Sequence, residues 1–209
     1  MPTTPTTVNN FIYLASQSPR RRQLLEQLGV SHQLLLPDAD EDAEALEQVR
    51  AGEAPLAYVR RVTRLKLDAA LSRLARRGLP VAPVLCSDTT VALGRLIFGK
   101  PADPDEAAAM LAQLGGCTHR VLTAVALGMG AQREEVISRS QVRFAGLDAA
   151  TIRDYVSTGE SMGKAGAYGV QGRAAAFIAH ISGSYSGIMG LPLFETAQLL
   201  RRFEVATNA

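Results

Sequence analysis

The chain of 209 residues has no tryptophan, only 5% aromatic residues, two cysteines and three histidines. So few aromatics leave little from which to build a stacking platform for single-stranded nucleic acid. Cys86 and Cys117 make no metal-ligand spacing, and a chain rich enough in apolar residues to form a core needs no disulfide framework. A reducing compartment, the cytoplasm, is therefore the expected setting. His32, His119 and His180 also lack ligand spacing and read as satisfying local hydrogen bonds. No stretch approaches the roughly 18 uninterrupted apolar residues of a membrane span. Residues 1–10, rich in Thr, Pro and Asn, lack the layout of a signal peptide and read as flexible. Neither sign of charge dominates: 22 Lys and Arg against 20 Asp and Glu leave a formal net charge of +2. That falls far short of the surplus of a non-specific nucleic-acid binder, so affinity for anions has to be local. Neither a membrane nor a nucleic acid is an expected partner.

What the chain does have is a core's worth of apolar residues, 47% of the total, arranged in alternating strand and helix patterns. The run Phe11-Ile12-Tyr13-Leu14-Ala15 predicts a buried strand. A polar turn then opens a helix with Ser18 as N-cap, Pro19 at its first position and Gly29 beyond its end. A short strand over residues 33–36 leads into an acidic stretch, residues 38–47, read as a surface loop able to act as a flap. Residues 55–77 predict a long helix with Leu56, Val59, Val62, Leu65, Leu67, Ala70 and Leu71 inward and most basic side chains off that face. Residues 81–93 predict a central strand, with a hairpin turn at Gly94-Arg95. A helix over residues 105–114 capped by Asp103-Pro104, a strand hairpin over residues 121–144, a helix capped by Asp148 and running to Ser157, a glycine-rich segment, a strand over residues 174–181 and a last helix over residues 193–203 complete the pattern. The expected fold class is α/β, two lobes around a twisted mixed β-sheet with a central cleft, in one domain over residues 1–209.

Chemistry concentrates at a few places. The helix start Ser16-Gln17-Ser18-Pro19-Arg20-Arg21 brings together free backbone N–H groups, the positive end of the helix dipole, two hydroxyls and two guanidinium groups. It is either an ordinary capped helix or an anion site, and the strand directly before it favours the anion site, at the carboxyl end of a sheet. Asp88 interrupts the apolar strand, where an unpaired carboxylate is costly. It either hydrogen-bonds neighbours such as Ser87 and Thr89 or orients and deprotonates an attacking water. Lys100, returned by the hairpin turn, would join Arg20, Arg21 and Lys66 in neutralising a polyphosphate. Glu41 is either a surface charge or a hard oxygen ligand for Mg²⁺ beside Asp88. In residues 163–172, four glycines permit close backbone approach to a ligand, and Gln171 offers an amide able to read a nucleobase edge.

Taken in order, Leu14-Ala-Ser-Gln-Ser-Pro-Arg-Arg21, Ser87-Asp-Thr-Thr-Val91, Gly99-Lys-Pro101, Thr118-His119, Lys164-Ala-Gly-Ala-Tyr-Gly-Val-Gln-Gly172 and Gly190-Leu-Pro-Leu193 resemble the Maf family of nucleotide pyrophosphatases over nearly the whole chain. The resemblance implies a Maf/ITPase-like fold and a homodimer. It also implies an enzyme, dependent on Mg²⁺ or Mn²⁺, that splits a nucleoside triphosphate into monophosphate and pyrophosphate. By position, Asp88 would accept the proton and contact the metal, and Glu41 would be the acidic loop residue near that metal. Ser16, Arg20, Arg21, Lys66 and Lys100 would contact phosphate. The Ala-Tyr-Gly-Val-Gln-Gly segment resembles the dTTP/UTP-preferring subgroup, with Arg20, Thr89 and Gln171 as specificity positions and a buried Gln171 amide matched to the pyrimidine edge. The alternatives are a 7-methyl-GTP-type pyrophosphatase, a non-catalytic nucleotide-binding regulator linked to cell division, and a nucleic-acid module built on the arginine clusters. Gly163, where many members carry an acid, and Cys117 depart from the family pattern.

Overall fold

In this computed structural model, which describes residues 9–39, 41–42 and 45–207, the apolar run at the start forms strand β1 (Ile12–Leu14), wholly buried. It pairs in parallel on one side with β2 (His32–Leu34) and on the other with the first residues of β3 (Val84–Leu93). Parallel neighbours require crossovers. These are supplied by α1 (Pro19–Gln27) between β1 and β2, and by α2 (Pro55–Arg76) between β2 and β3. At Gly94-Arg95 the chain reverses into β4 (Leu96–Phe98), antiparallel to the far end of β3. After α3 (Pro104–Leu114), the long hairpin of β5 (Thr118–Met129) and β6 (Gln132–Phe144) adds two antiparallel strands. Then α4 (Ala149–Ser157), β7 (Ile178–Ser182), α5 (Tyr185–Met189) and α6 (Leu193–Arg202) follow. The strands form one seven-stranded mixed sheet in the order β2-β1-β3-β5-β6-β7, with β4 beside β3. This is the expected α/β class.

The helix ends follow local chemistry. Asp103 and Asp148 cap α3 and α4 by accepting from Glu106 N and Thr151 N. Ser18 holds the N-cap position of α1, but its side chain makes no capping bond. Helix α5 escapes the sequence pattern because it is only five residues long. It is held by Ser184, which accepts from Gly187 N. The strand expected over residues 174–181 begins later, after a 3₁₀ turn at Arg173–Phe177. The flexible terminus expected at residues 1–10 falls mostly outside the described residues. Asn9 within it is fixed, bridging to Val205 and donating through its side chain to Phe203 O.

Two apolar clusters frame the cleft. Residues of β1, α1 and α6 pack together at one end of the sheet, and β5, β6, α3, α4 and the glycine-rich segment pack at the other. What positions the site is a gap between them. Along one edge of β3, β1 pairs only with Val84 and Leu85, and β4 only with Val91, Ala92 and Leu93. Across the other edge β5 runs without a break. Residues 86–90 therefore present an unpaired backbone edge among the described strands, at the parallel-to-antiparallel switch where ligands of open α/β sheets bind. The glycine-rich segment closes over this gap, with Gly166 N donating to Gly99 O.

Gly166 packs so closely on β3 that a Cβ there would lie 2.9 Å from Val91 Cβ and from both of its γ-carbons, and its φ is +70°. Gly166→Ala should therefore destabilise the fold by about 1–3 kcal/mol, through overpacking and left-handed strain. Denaturant unfolding measures this, and a variant as stable as the parent would contradict the packing described.

Candidate active site

A cleft of about 840 Å³ runs along the gap in β3 and is lined by residues from both of its sides. Strand alternation divides the work. Asp88 points to the α2 side, while Ser87 and Thr89 point to the α1 and α5 side. The expected hydrogen bonds from Ser87 and Thr89 to Asp88 are not made, because successive strand residues face opposite ways. Instead Ser87 Oγ donates to Gly190 O at 2.9 Å.

Asp88 is 8% exposed. Its Oδ1 accepts from Lys66 Nζ at 2.6 Å, and Oδ2 has no such bond among the described residues. Lys66 also donates to Glu47 Oε1 at 2.6 Å, and Lys100 reaches both Glu47 oxygens at 3.2 and 3.0 Å. The result is an alternating chain, Asp88, Lys66, Glu47, Lys100. Burial works against the Lys66 ammonium, but Asp88 and then Glu47 outweigh it and hold its pKa above the ordinary value. Burial also works against the Glu47 carboxylate, and Lys66 and Lys100 outweigh it in turn, so Glu47 stays ionised.

On the other side of the gap, Arg21 donates through Nε to Gly190 O at 2.9 Å and through Nη1 to Ser16 Oγ at 3.1 Å. Its Nη2 reaches Thr89 Oγ1 at 3.5 Å. Thr123 donates to Gly187 O at 2.7 Å, so its oxygen is left to accept from Thr89, 3.0 Å away, and Thr89 in turn can only accept from Arg21. Thr89 thus holds Arg21 in place. Arg20 donates through Nε to Met189 O at 3.2 Å and makes no bond through its Nη groups among the described residues. Burial lowers its pKa. The pKa of Lys164 is lowered too, first by burial and then by Arg20. The Glu160 carboxylate offsets this only in part, so two desolvated cations stand beside the first-turn N–H groups of α1, a setting suited to an anion.

All the residues expected from sequence line this one cleft: Ser16, Arg20, Arg21, Glu41, Lys66, Asp88, Thr89, Lys100 and Gln171. Two differ in setting from the expectation. Gln171 is exposed rather than buried, because its segment folds over the mouth of the cleft. Most basic residues of α2 leave its inward face as expected, and Lys66 and Arg73 line the cleft. And Glu41 is not beside Asp88 as a free ligand. Its carboxylate is clasped by Arg73, at 2.9 and 2.5 Å, and by Arg76 at 2.7 Å. The carboxylate next to the Asp88 cluster is Glu47, which sequence reasoning missed among many neighbouring acids. Lys164 was likewise passed over, although it stands in the glycine-rich motif, and so was Arg73. Its spacing of seven from Lys66, two helical turns, is the signal that would have found it. The flap reading of residues 38–47 covers Asp40, Ala43 and Glu44, outside the described residues. The described part is tied to α2 through Glu41 and through Tyr58, which donates to Glu47 O at 2.8 Å.

A divalent cation that enters with phosphate needs only one or two carboxylates. Asp88 Oδ2 fits that need, whereas both oxygens of Glu41 and of Glu47 already accept from arginine or lysine. No group of three or more His, Cys, Asp and Glu suited to a metal occurs among the described residues. The donor set therefore suits a cation shared with a bound phosphate rather than a cage made wholly by protein. Both cysteines are free, and burial pushes the Cys86 thiol up to about 12, which makes it unreactive. None of the described helices is long and apolar enough to cross a membrane.

The Arg73 guanidinium, assisted against burial by Arg76, holds the Glu41 carboxyl down to about 2. A depressed carboxylate stabilises the fold above its ordinary pKa of 4.5 and loses that contribution as pH falls towards 2. Glu41→Gln should therefore be less stable than the parent at neutral pH, with the gap closing across that window. Urea unfolding at several pH values tests it, and a gap that does not depend on pH would contradict the pairing.

The family model described as "Maf-like protein" matches residues 11–203. A protein of Albidiferax ferrireducens named dTTP/UTP pyrophosphatase is 69% identical over 94% of this chain and 98% of its own length. A second of that name, from a Polaromonas species, is 68% identical over 92% and 95%. A solved nucleoside-triphosphatase / dITP/XTP pyrophosphatase from Mycobacterium abscessus covers 66% of this chain and 76% of its own, at 19% identity and a TM-score of 0.39.

Proposed function

Because the chain belongs to the Maf-like protein family, we propose that it is a nucleoside triphosphate pyrophosphatase acting on dTTP and UTP, releasing the monophosphate and pyrophosphate. The observation that carries the chemistry is Asp88, on the unpaired edge of β3, with one oxygen fixed by Lys66 and the other open to the cleft.

In this reading the triphosphate enters beneath the glycine-rich segment. Its phosphates meet Arg20, Lys164 and the N–H groups at the start of α1, while Arg21 is held in place by Ser16, Thr89 and Gly190 O. Lys66 and Lys100 exchange Glu47 oxygens for phosphate oxygens at little electrostatic cost, since one anion replaces another. A divalent cation, Mg²⁺ or Mn²⁺, shared by Asp88 and phosphate oxygens would neutralise phosphate charge when bound. Asp88 orients a water and takes its proton as the oxygen bonds to the α-phosphorus. The bond from that phosphorus to the bridging oxygen breaks, and pyrophosphate leaves in line. Gln171 reads the pyrimidine edge through one donor and one acceptor. Glu41 ties its loop to α2. The cytoplasm and a homodimeric assembly belong to the same proposal. The two free cysteines are compatible with a reducing compartment.

Asp88→Asn should lower kcat by about 10²–10⁴, the usual worth of a general base, with stability close to that of the parent. Pyrophosphate release from a panel of dTTP, UTP, CTP, ATP, GTP and 7-methyl-GTP, with Mg²⁺ and with chelator, measures both activity and preference. Full activity of the variant, or preference for a purine nucleotide, would overturn the assignment.

A further inference from the structure

Just beyond α4, Glu160 makes three contacts that bracket the glycine-rich segment. Its Oε1 accepts from Tyr155 OH at 2.9 Å, and its Oε2 accepts from the backbone N–H of Arg173 at 2.9 Å. Its own carbonyl accepts from Lys164 Nζ. One residue therefore holds both the lysine at the start of the segment and the peptide at its end. Tyr155 is a firm anchor, 5% exposed and packed edge-on against Phe177. Although burial opposes it, the bonds from Arg173 N–H and Tyr155 keep the Glu160 carboxyl below the usual range and ionised.

Gly172 shows how tight this seat is. Its backbone, at φ −103° and ψ −156°, is one that any residue can adopt. Yet a Cβ there would fall 2.2–2.5 Å from the Glu160 carboxylate atoms. The glycine is needed by the carboxylate, not by the turn. Gln171 directly precedes it, exposed and lining the cleft, and makes no hydrogen bond of its own among the described residues. Its amide oxygen and the Lys164 stem both lie within 4 Å of where a Cβ on Gly169 would stand. An exposed amide on a segment with four glycines would lose much freedom on binding unless something beside it were already fixed.

We propose that Glu160 is a positioning residue for base recognition: by clamping the peptide beside Gly172 to Tyr155, it presents the Gln171 amide to the cleft in its binding pose. The proposal rests on the reading of this cleft as a pyrimidine triphosphate site. Glu160 touches neither the substrate nor Asp88. Its removal is expected to weaken base discrimination without altering the chemical step.

The test compares kcat and KM for dTTP and ATP in the parent, Glu160→Ala, Glu160→Gln, Gln171→Ala and the Glu160→Ala/Gln171→Ala double variant. Glu160→Ala should reduce kcat/KM for dTTP, through KM, by about tenfold more than that for ATP, as expected for one lost recognition contact. Glu160→Gln should recover part of the loss, because its amide oxygen accepts from Arg173 N–H and its NH₂ can donate to the Tyr155 oxygen. In the Gln171→Ala background Glu160→Ala should cost no further dTTP-over-ATP discrimination, since the two act as a unit. A loss equal for both nucleotides, or one that persists without Gln171, would overturn the proposal. If Glu160→Ala does not fold, Tyr155→Phe, which removes one donor to the same carboxylate, carries the comparison with the same outcomes. If the parent prefers another triphosphate, the pyrimidine reading falls, and the coupling of Glu160 to Gln171 is measured on that nucleotide instead.

Discussion

The site depends on an interruption in the pairing of β3. A buried strand edge must satisfy its backbone N–H and C=O groups, and over residues 86–90 neither β1 nor β4 does so. The gap exists because β1 is parallel to β3 and must leave through α1, while β4 is antiparallel and arrives through a tight turn. Neither can extend into the other's territory. A ligand lying in that gap meets both faces of one strand at once. Asp88 comes from one face with Lys66, and Thr89 comes from the other with Arg21. Two successive residues thereby serve the two sides of one cleft.

Charge is distributed unevenly across that gap. On the α2 side, cations and carboxylates alternate and compensate one another, which keeps Lys66 charged despite burial. On the α1 side, desolvation lowers the pKa of both Arg20 and Lys164, and the Glu160 carboxylate offsets this at Lys164 only in part. An anion arriving there relieves repulsion, whereas on the α2 side it displaces Glu47. Binding energy should therefore come chiefly from the α1 side, and orientation of the reacting groups from the α2 side. The near-neutral net charge of the whole chain is consistent with anion affinity confined to one place.

Much of this was legible in the sequence, for reasons that are local. The long stripe of α2, the apolar run of β3, the Asp103 and Asp148 caps and the Gly94-Arg95 turn each follow from short-range chemistry, and each is found. Asp88 stood out because a carboxylate in an apolar strand needs a partner. What escaped depends on tertiary context. Glu41 and Glu47 are chemically alike and six residues apart, and only the anchoring of the loop by Tyr58 and Arg73 decides which of them reaches the lysines. Helix α5 is too short for periodicity to reveal, and Gly187 within it sits where a Cβ would be 2.9 Å from Ser138 Oγ. The exposure of Gln171 follows from how Glu160 and Gly172 seat its segment, which no spacing in the sequence records.

In the proposed function this geometry directs water to the α-phosphorus. The most direct measurement is hydrolysis of dTTP in water enriched in heavy oxygen, with both products weighed by mass spectrometry. The label is expected in the nucleoside monophosphate, with none in pyrophosphate. Label in the pyrophosphate would place the attack on the β-phosphorus and contradict the role given to Asp88.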